Sequence, residues 1–229
     1  MKKIILAGFI IISIYSFSQV PGYMGKRLVL NGTFLFGSPE VFGEDPATVK
    51  SEKKNGSYGI GLHGYVKAGL DYVISERKSV CLAYKMSRMG FIHEYDSAYN
   101  SIKYLTQLNI SSIDIGLRLH IEGNIAPIGN FFSYGISMNR AIERDVAGNA
   151  ANHGVPFKQT TTWFASVFFT YGHNIPIGKF LILTTQLETN LANPIRFILD
   201  DGSDRTRIMY RWQKSTWMNF GLGLGYIIH

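Results

Sequence analysis

The stretch Thr216 to Ile228, TWMNFGLGLGYII, narrows the choice of fold more than any other part of this chain. Side chains alternate between the two faces of a strand, so period two sorts this stretch cleanly. Met218, Phe220, Leu222, Leu224, Tyr226 and Ile228 share one face; Trp217, Asn219, Gly221, Gly223 and Gly225 share the other, with Ile227 the single larger apolar residue there. A strand of a soluble core turns its large residues inward and polar ones to water. Here the face opposite the bulky residues is mostly small, so it looks into a crowded space, while the bulky face meets surroundings that accept any shape. A lipid-facing strand of a transmembrane barrel meets both conditions.

The pattern recurs at barrel spacing. Arg27–Gly37 sets Leu28, Leu30, Phe34 and Phe36 against Arg27, Asn31 and Thr33. Tyr58–Val73 sets Tyr58, Ile60, Leu62, Val66, Leu70 and Tyr72 against Gly59, Gly61, His63, Tyr65, Lys67 and Asp71. A third strand carries Val80, Leu82, Tyr84 and Met86 outward and Cys81, Ala83, Lys85 and Ser87 inward. Tyr104–Ile121, Phe131–Asn139, Thr161–His173 and a stretch through Leu181 to Leu191 follow. The fourth strand changes phase, from Leu108 and Ile110 on one parity to Ile113, Ile115, Leu117 and Leu119 on the other; a one-residue bulge at Ser111–Ser112 is expected to restore a single outward face. The connections alternate: long over 38–57, 88–103, 140–160 and 192–215, short over 74–78, 122–130 and 174–178. The expected fold is all-β: an eight-stranded antiparallel up-and-down transmembrane β-barrel with four long extracellular loops and short periplasmic turns. Phe36, Tyr58 and Trp163 by the long loops, and Tyr72, Phe132, Tyr171 and Tyr226 by the short turns, are expected to form two aromatic girdles.

The N-terminus fits an exported protein. Lys2 and Lys3 precede an apolar run, Ile4 to Tyr15, and Ser16 and Ser18 supply small residues before a cleavage point. Residues 1–18 are read as a signal peptide and 19–229 as one outer-membrane β-barrel domain. No cysteine follows the cut, which argues against a lipid anchor, and the single Cys81 has no internal disulfide partner. Without the two signal lysines the net charge of +7 falls to +5.

A soluble barrel of the lipocalin kind reverses the polarity, apolar within and polar without. The inward parity here carries Arg27, Asn31, His63, Lys67, Asp71, Lys85, Asp114, Arg118, Gln186 and Glu188, which would make a poor apolar cup. An eight-stranded barrel is just wide enough to be filled by side chains. Arg27, His63, Lys67, Asp71, Lys85, Asp114, Arg118 and Glu188 are therefore expected to form a lumen network, with Lys67, Lys85 and Arg118 set against Asp71, Asp114 and Glu188.

Three stretches, Ser16-Phe-Ser-Gln19, the lead-in Gln19-Val-Pro-Gly-Tyr-Met-Gly-Lys26 and the turn Ile125-Ala-Pro-Ile-Gly-Asn130, resemble the small outer-membrane β-barrel proteins of Bacteroidetes-type bacteria. The resemblance implies an outer-membrane address and brings no catalytic residues.

The expected role is structural or interactive: membrane integrity, adhesion, or service to a larger envelope complex. A lipid-A-modifying enzyme and a small channel or transport component are the alternatives. His93, His120, His153 and His173 are the histidines an enzyme would draw on, but no G-x-S-x-G motif accompanies them. No catalytic residue, cofactor or metal site is assigned; Asp200-Asp-Gly-Ser-Asp204 is rich in oxygens but misses the EF-hand pattern. Arg205, Arg207, Arg211 and Lys214 just precede the last strand, at the expected level of lipopolysaccharide head groups, and are candidate phosphate contacts. The expected partners are outer-membrane lipid and lipopolysaccharide, with an envelope protein allowed for; nucleic acid is not expected, and the chain is taken as monomeric.

Overall fold

The computed structural model describes residues 27–37, 51–52, 58–59, 63–96, 101–121, 125–145, 157–192, 208–209, 212–213, 216 and 218–228. The strands in chain order are β1 (Leu28–Gly37), β2 (Ser51–Glu52), β3 (Tyr58–Gly59), β4 (His63–Ser75), β5 (Lys78–Asp96), β6 (Ser101–His120), β7 (Gly129–Asp145), β8 (Thr160–Ile177), β9 (Leu181–Ala192) and β10 (Asn219–Ile228). β2 and β3 pair only with each other, within the first long connection. The other eight close into one antiparallel barrel, in which consecutive strands are neighbours and β10 returns to β1. The turn between β8 and β9 is short because Gly178 takes a left-handed conformation (φ 70°), which a side chain would strain.

One row of paired residues, followed round the wall, fixes the barrel's proportions. It runs His173, Thr185, Leu222, Phe34, Val66, Met86, Ser111, Arg140 and returns to β8 at Trp163. The return lies ten residues along β8 from the start. At ~3.3 Å per residue and ~4.8 Å between strands, that stagger over eight strands gives a tilt of about 41° and a backbone radius of about 8 Å. Each row therefore climbs about 3 Å per strand, and two residues along a strand gain about 5 Å.

The outward face is apolar. Ile115, Ile136, Phe220, Leu222 and Leu224 are each 56–59% exposed, the reverse of a soluble barrel. Tyr226, Leu30, Leu70 and Leu82 share one row, and six residues further along β5 comes Arg88. From Tyr226 to Arg88 the belt is about 25 Å high, the height of the apolar band on membrane barrels. Phe36 and Trp163 lie toward the long-loop end, and Tyr72, Phe132, Tyr171 and Tyr226 toward the short turns. The Tyr58 side chain falls outside the described residues.

Three expectations need correction. The bulge at Ser111–Ser112 is absent: β6 pairs without interruption with both neighbours, and the irregular register lies instead between Val73 and Ser75. Leu108 and Ile110 keep the inward parity, buried, while Asn109 and Ser111 face out. The change of phase marks the height at which the wall leaves the apolar belt and takes the polarity of a soluble barrel. Much of the loops expected over 88–103 and 140–160 is ladder, since β5 reaches Asp96, β6 starts at Ser101 and β7 runs to Asp145. Above the apolar belt the paired backbone still satisfies its own donors and acceptors, so the strands have no reason to stop at the belt's edge. Tyr58–Val73 is not one strand either: Tyr58–Gly59 belongs to the separate ladder, and the wall begins at His63.

Candidate functional site

The inward parity brings charge to mid-barrel. Glu188 on β9 accepts from Lys67 Nζ at 2.8 Å through Oε2 and from Lys85 Nζ at 2.9 Å through Oε1. The same ammonium groups lie 3.1 and 3.6 Å from Asp114 Oδ2, and Lys85 also donates to Asn190 Oδ1 at 3.2 Å. A second group sits beside the first. Arg118 Nη1 donates to Asp71 Oδ2, which also accepts from Asn31 Nδ2 at 2.9 Å; Arg118 Nε donates to Ser133 Oγ at 3.0 Å. Asp71, Lys85, Asp114 and Glu188 are buried to within a few per cent. Charges so far from water persist only when paired, and the three cations here balance three carboxylates.

Aromatic rings fill what the ions leave. The Lys67 ammonium lies 5.1 Å from the centre of the Phe168 ring, and the Arg118 guanidinium 4.2 Å from that of Phe131. Glycines make the room: Gly116 and Gly135 are paired across β6 and β7, and a Cβ on Gly135 would fall 2.8 Å from the Phe168 ring. Between the two charged groups a cavity of about 20 Å³ is lined by Asp71, Asp114, Arg118, Thr170 and Gln186, among others. That is the volume of a single water.

Among the described residues, less polar layers lie at both ends. At the long-loop end, Ile208, Met209, Trp212, Gln213 and Thr216 are in helical conformation and buried. Their spacing puts them on one helical face. Trp212 packs edge-on against Phe164 with ring centres 5.1 Å apart, in a cluster with Leu35, Tyr65, Met89, Leu108 and Ile110. Gln213 Oε1 accepts from Ala192 N at 3.2 Å, and Thr216 O accepts from Asn219 Nδ2 at 2.9 Å, which ties this segment to β9 and β10. At the short-turn end Val29, Ile182 and Ile227 pack together, and the 125–128 turn folds beneath, Pro127 O accepting from Asn174 Nδ2 at 2.6 Å.

Of the expected network, Lys67, Asp71, Lys85, Asp114, Arg118 and Glu188 come together. Arg27 stands just before β1, its carbonyl accepting from Val73 N at 2.7 Å. His63 lies in β4, but its side chain is outside the described residues, as are Arg205, Arg207, Arg211, Lys214, Asp200–Asp204 and residues 1–18. The connection that carries the four basic residues is not purely an external loop: its helical part turns back into the barrel mouth. His120 is buried beside Phe131, with Nδ1 3.3 Å from Ile128 O; His173 Nδ1 lies 2.7 Å from Asn130 Oδ1 at the other face of the wall. The side chains of His93 and His153 are outside the described residues.

No protein-family model matches the chain, and no curated protein matches it in sequence. Solved structures do match it in shape. The outer membrane protein OprG of Pseudomonas aeruginosa superposes with a TM-score of 0.51 at 11% identity, covering 92% of this chain and 99% of that one. The N-terminal β-barrel domain of Pseudomonas aeruginosa OprF (TM-score 0.44, 11% identity, 89% and 98% covered) and Ail, the attachment invasion locus protein of Yersinia pestis (0.44, 8%, 89% and 99%), are more distant in shape. The chain has the fold of the small outer-membrane β-barrels.

Proposed function

We propose that this chain is an outer-membrane β-barrel, exported by a cleaved signal peptide over residues 1–18, whose role is structural or interactive rather than catalytic or conductive. The observation that carries this reading is the closed lumen. The ions at mid-barrel satisfy one another, the long-loop mouth is filled by Trp212 and its neighbours, and among the described residues the cavity between the two charged groups holds one water's volume. A wall built this way offers the cell its two surfaces: the apolar belt toward lipid and the long-loop end toward the outside. Outer-membrane lipid and lipopolysaccharide are the partners that follow, and an envelope protein is the natural ligand of the loops. The resemblance of the signal end and lead-in to Bacteroidetes-type barrels agrees with this address.

Fractionation tests it. The mature chain should sediment with outer membranes and migrate faster on SDS gels unheated than boiled. A strain lacking it should become more sensitive to detergent, and the wild-type copy should restore resistance. Recovery of the mature chain from the soluble periplasm would overturn the reading.

A further inference from the structure

At the upper edge of the apolar belt the outer wall carries a groove of about 440 Å³, crossing β4 to β7. Its lower side is apolar, from Val66 and Met86; above these come the polar Arg88, Asn109, Ser111 and Arg140, with Ile142 beyond Arg140 at the top. The row geometry levels the two arginines. From Met86 the row climbs two strands to Arg140, gaining about 6 Å, while Arg88 lies two residues up the same strand, gaining about 5 Å. Arg88 and Arg140 thus stand within about 1 Å of the same height, at the plane where lipid meets water, with Asn109 and Ser111 between them on β6.

Both cations are held by uncharged neighbours. Arg88 Nη2 donates to Gln107 Oε1 at 2.6 Å, and the Arg140 guanidinium lies 5.8 Å from the centre of the Trp163 ring. Among the described residues neither has a carboxylate partner. Two level cations over an apolar shelf, with no carboxylate partner among the described residues, call for a lipid whose head carries separated anions and hydroxyls.

We propose that this groove binds the head of a phosphorylated glycolipid of the outer leaflet. Phosphate oxygens accept from the Arg88 and Arg140 guanidiniums, sugar hydroxyls pair with Asn109 and Ser111, and acyl chains run down over Val66 and Met86. The proposal rests on the outer-membrane reading above and assigns the lipid contact to residues distinct from Arg205, Arg207, Arg211 and Lys214.

The test uses the mature chain refolded in detergent and titrated with purified lipopolysaccharide, followed by native mass spectrometry and by fluorescence. Wild type should bind, and lipopolysaccharide stripped of its lipid A phosphates should not. Arg88→Gln with Arg140→Gln should weaken binding about thirtyfold, with each single change intermediate. Heat-modifiable migration should be unchanged in the double variant, because both side chains lie outside the lumen. A folded double variant that binds like wild type overturns the site, and so does equal binding of phosphatidylglycerol micelles by wild type, which would show attraction to any anionic surface. Failure of the wild-type chain to refold into detergent or lipid at all would instead overturn the membrane reading beneath it.

Discussion

Lys85 and Glu188 meet across the full width of the barrel. β5 and β9 are four strands apart in either direction, yet Lys85 Nζ lies 2.9 Å from Glu188 Oε1. A wall of about 8 Å radius lets one lysine and one glutamate span it, so their contact is also the closure of the lumen. Lys67, the register partner of Lys85 on the neighbouring strand β4, takes the other Glu188 oxygen at 2.8 Å.

Removing that carboxylate should cost more than any single pairing suggests. Glu188→Ala leaves Lys67 and Lys85 side by side in a buried site, with Asp114 the one carboxylate near both and Asn190 a neutral acceptor for Lys85. The expected loss is ~3–5 kcal/mol, read as a fall in the urea midpoint of the barrel folded in liposomes. Glu188→Gln, which keeps the shape, should lose nearly as much. A loss below about 1 kcal/mol for both would mean that water already reaches the pair.

The outer wall should show a steep dependence on depth along a single strand. Ile115 and Ser111 share the outward face of β6, four residues apart, one within the belt and one at its edge. Ile115→Arg should cost ~2–4 kcal/mol and Ser111→Arg ~0–1 kcal/mol in liposome refolding. Equal costs would show that the apolar face does not meet lipid.

Much of this was legible in the sequence, and the rest was hidden for definable reasons. Parity alone puts Lys67, Lys85, Asp114 and Glu188 on the inward face, because period two leaves no other choice once the bulky face is lipid-bound. Which cation meets which anion is not local information: the closed strand order sets β5 opposite β9, and the ten-residue stagger brings Lys85 and Glu188 to similar heights. The continuation of β5 and β6 past the belt was masked by the change of polarity at Ser111, which reads as a slipped register if the outside is assumed to be lipid throughout. The signal for the plug was present. Ile208, Met209, Trp212, Gln213 and Thr216 follow a helical period, but four basic residues from Arg205 to Lys214 give the stretch the look of a solvated loop.

Trp212 is the largest of the plug's described side chains, fully buried at the long-loop mouth. Trp212→Ala should destabilise the folded barrel by ~3–5 kcal/mol through the cavity it leaves against Phe164 and Leu108. Urea unfolding in detergent measures this, and a cost below about 1 kcal/mol would show the segment to be loosely placed.

The only cysteine reports on the lumen without adding a probe. Cys81 faces inward, nearly buried beside Asp71 and Arg118. A polar maleimide should leave it unmodified in the folded barrel and modify it fully in denaturant. Fast labelling of the folded form would reveal a water-filled path to mid-barrel.

Single-channel recording of the purified mature chain in planar bilayers tests the closed lumen most directly. A lumen spanned by Lys85 and Glu188 and capped by Trp212 predicts a flat trace for the wild type at voltages the bilayer itself withstands, even after many confirmed insertions. Reproducible, discrete conductance steps from the folded wild-type protein would contradict it.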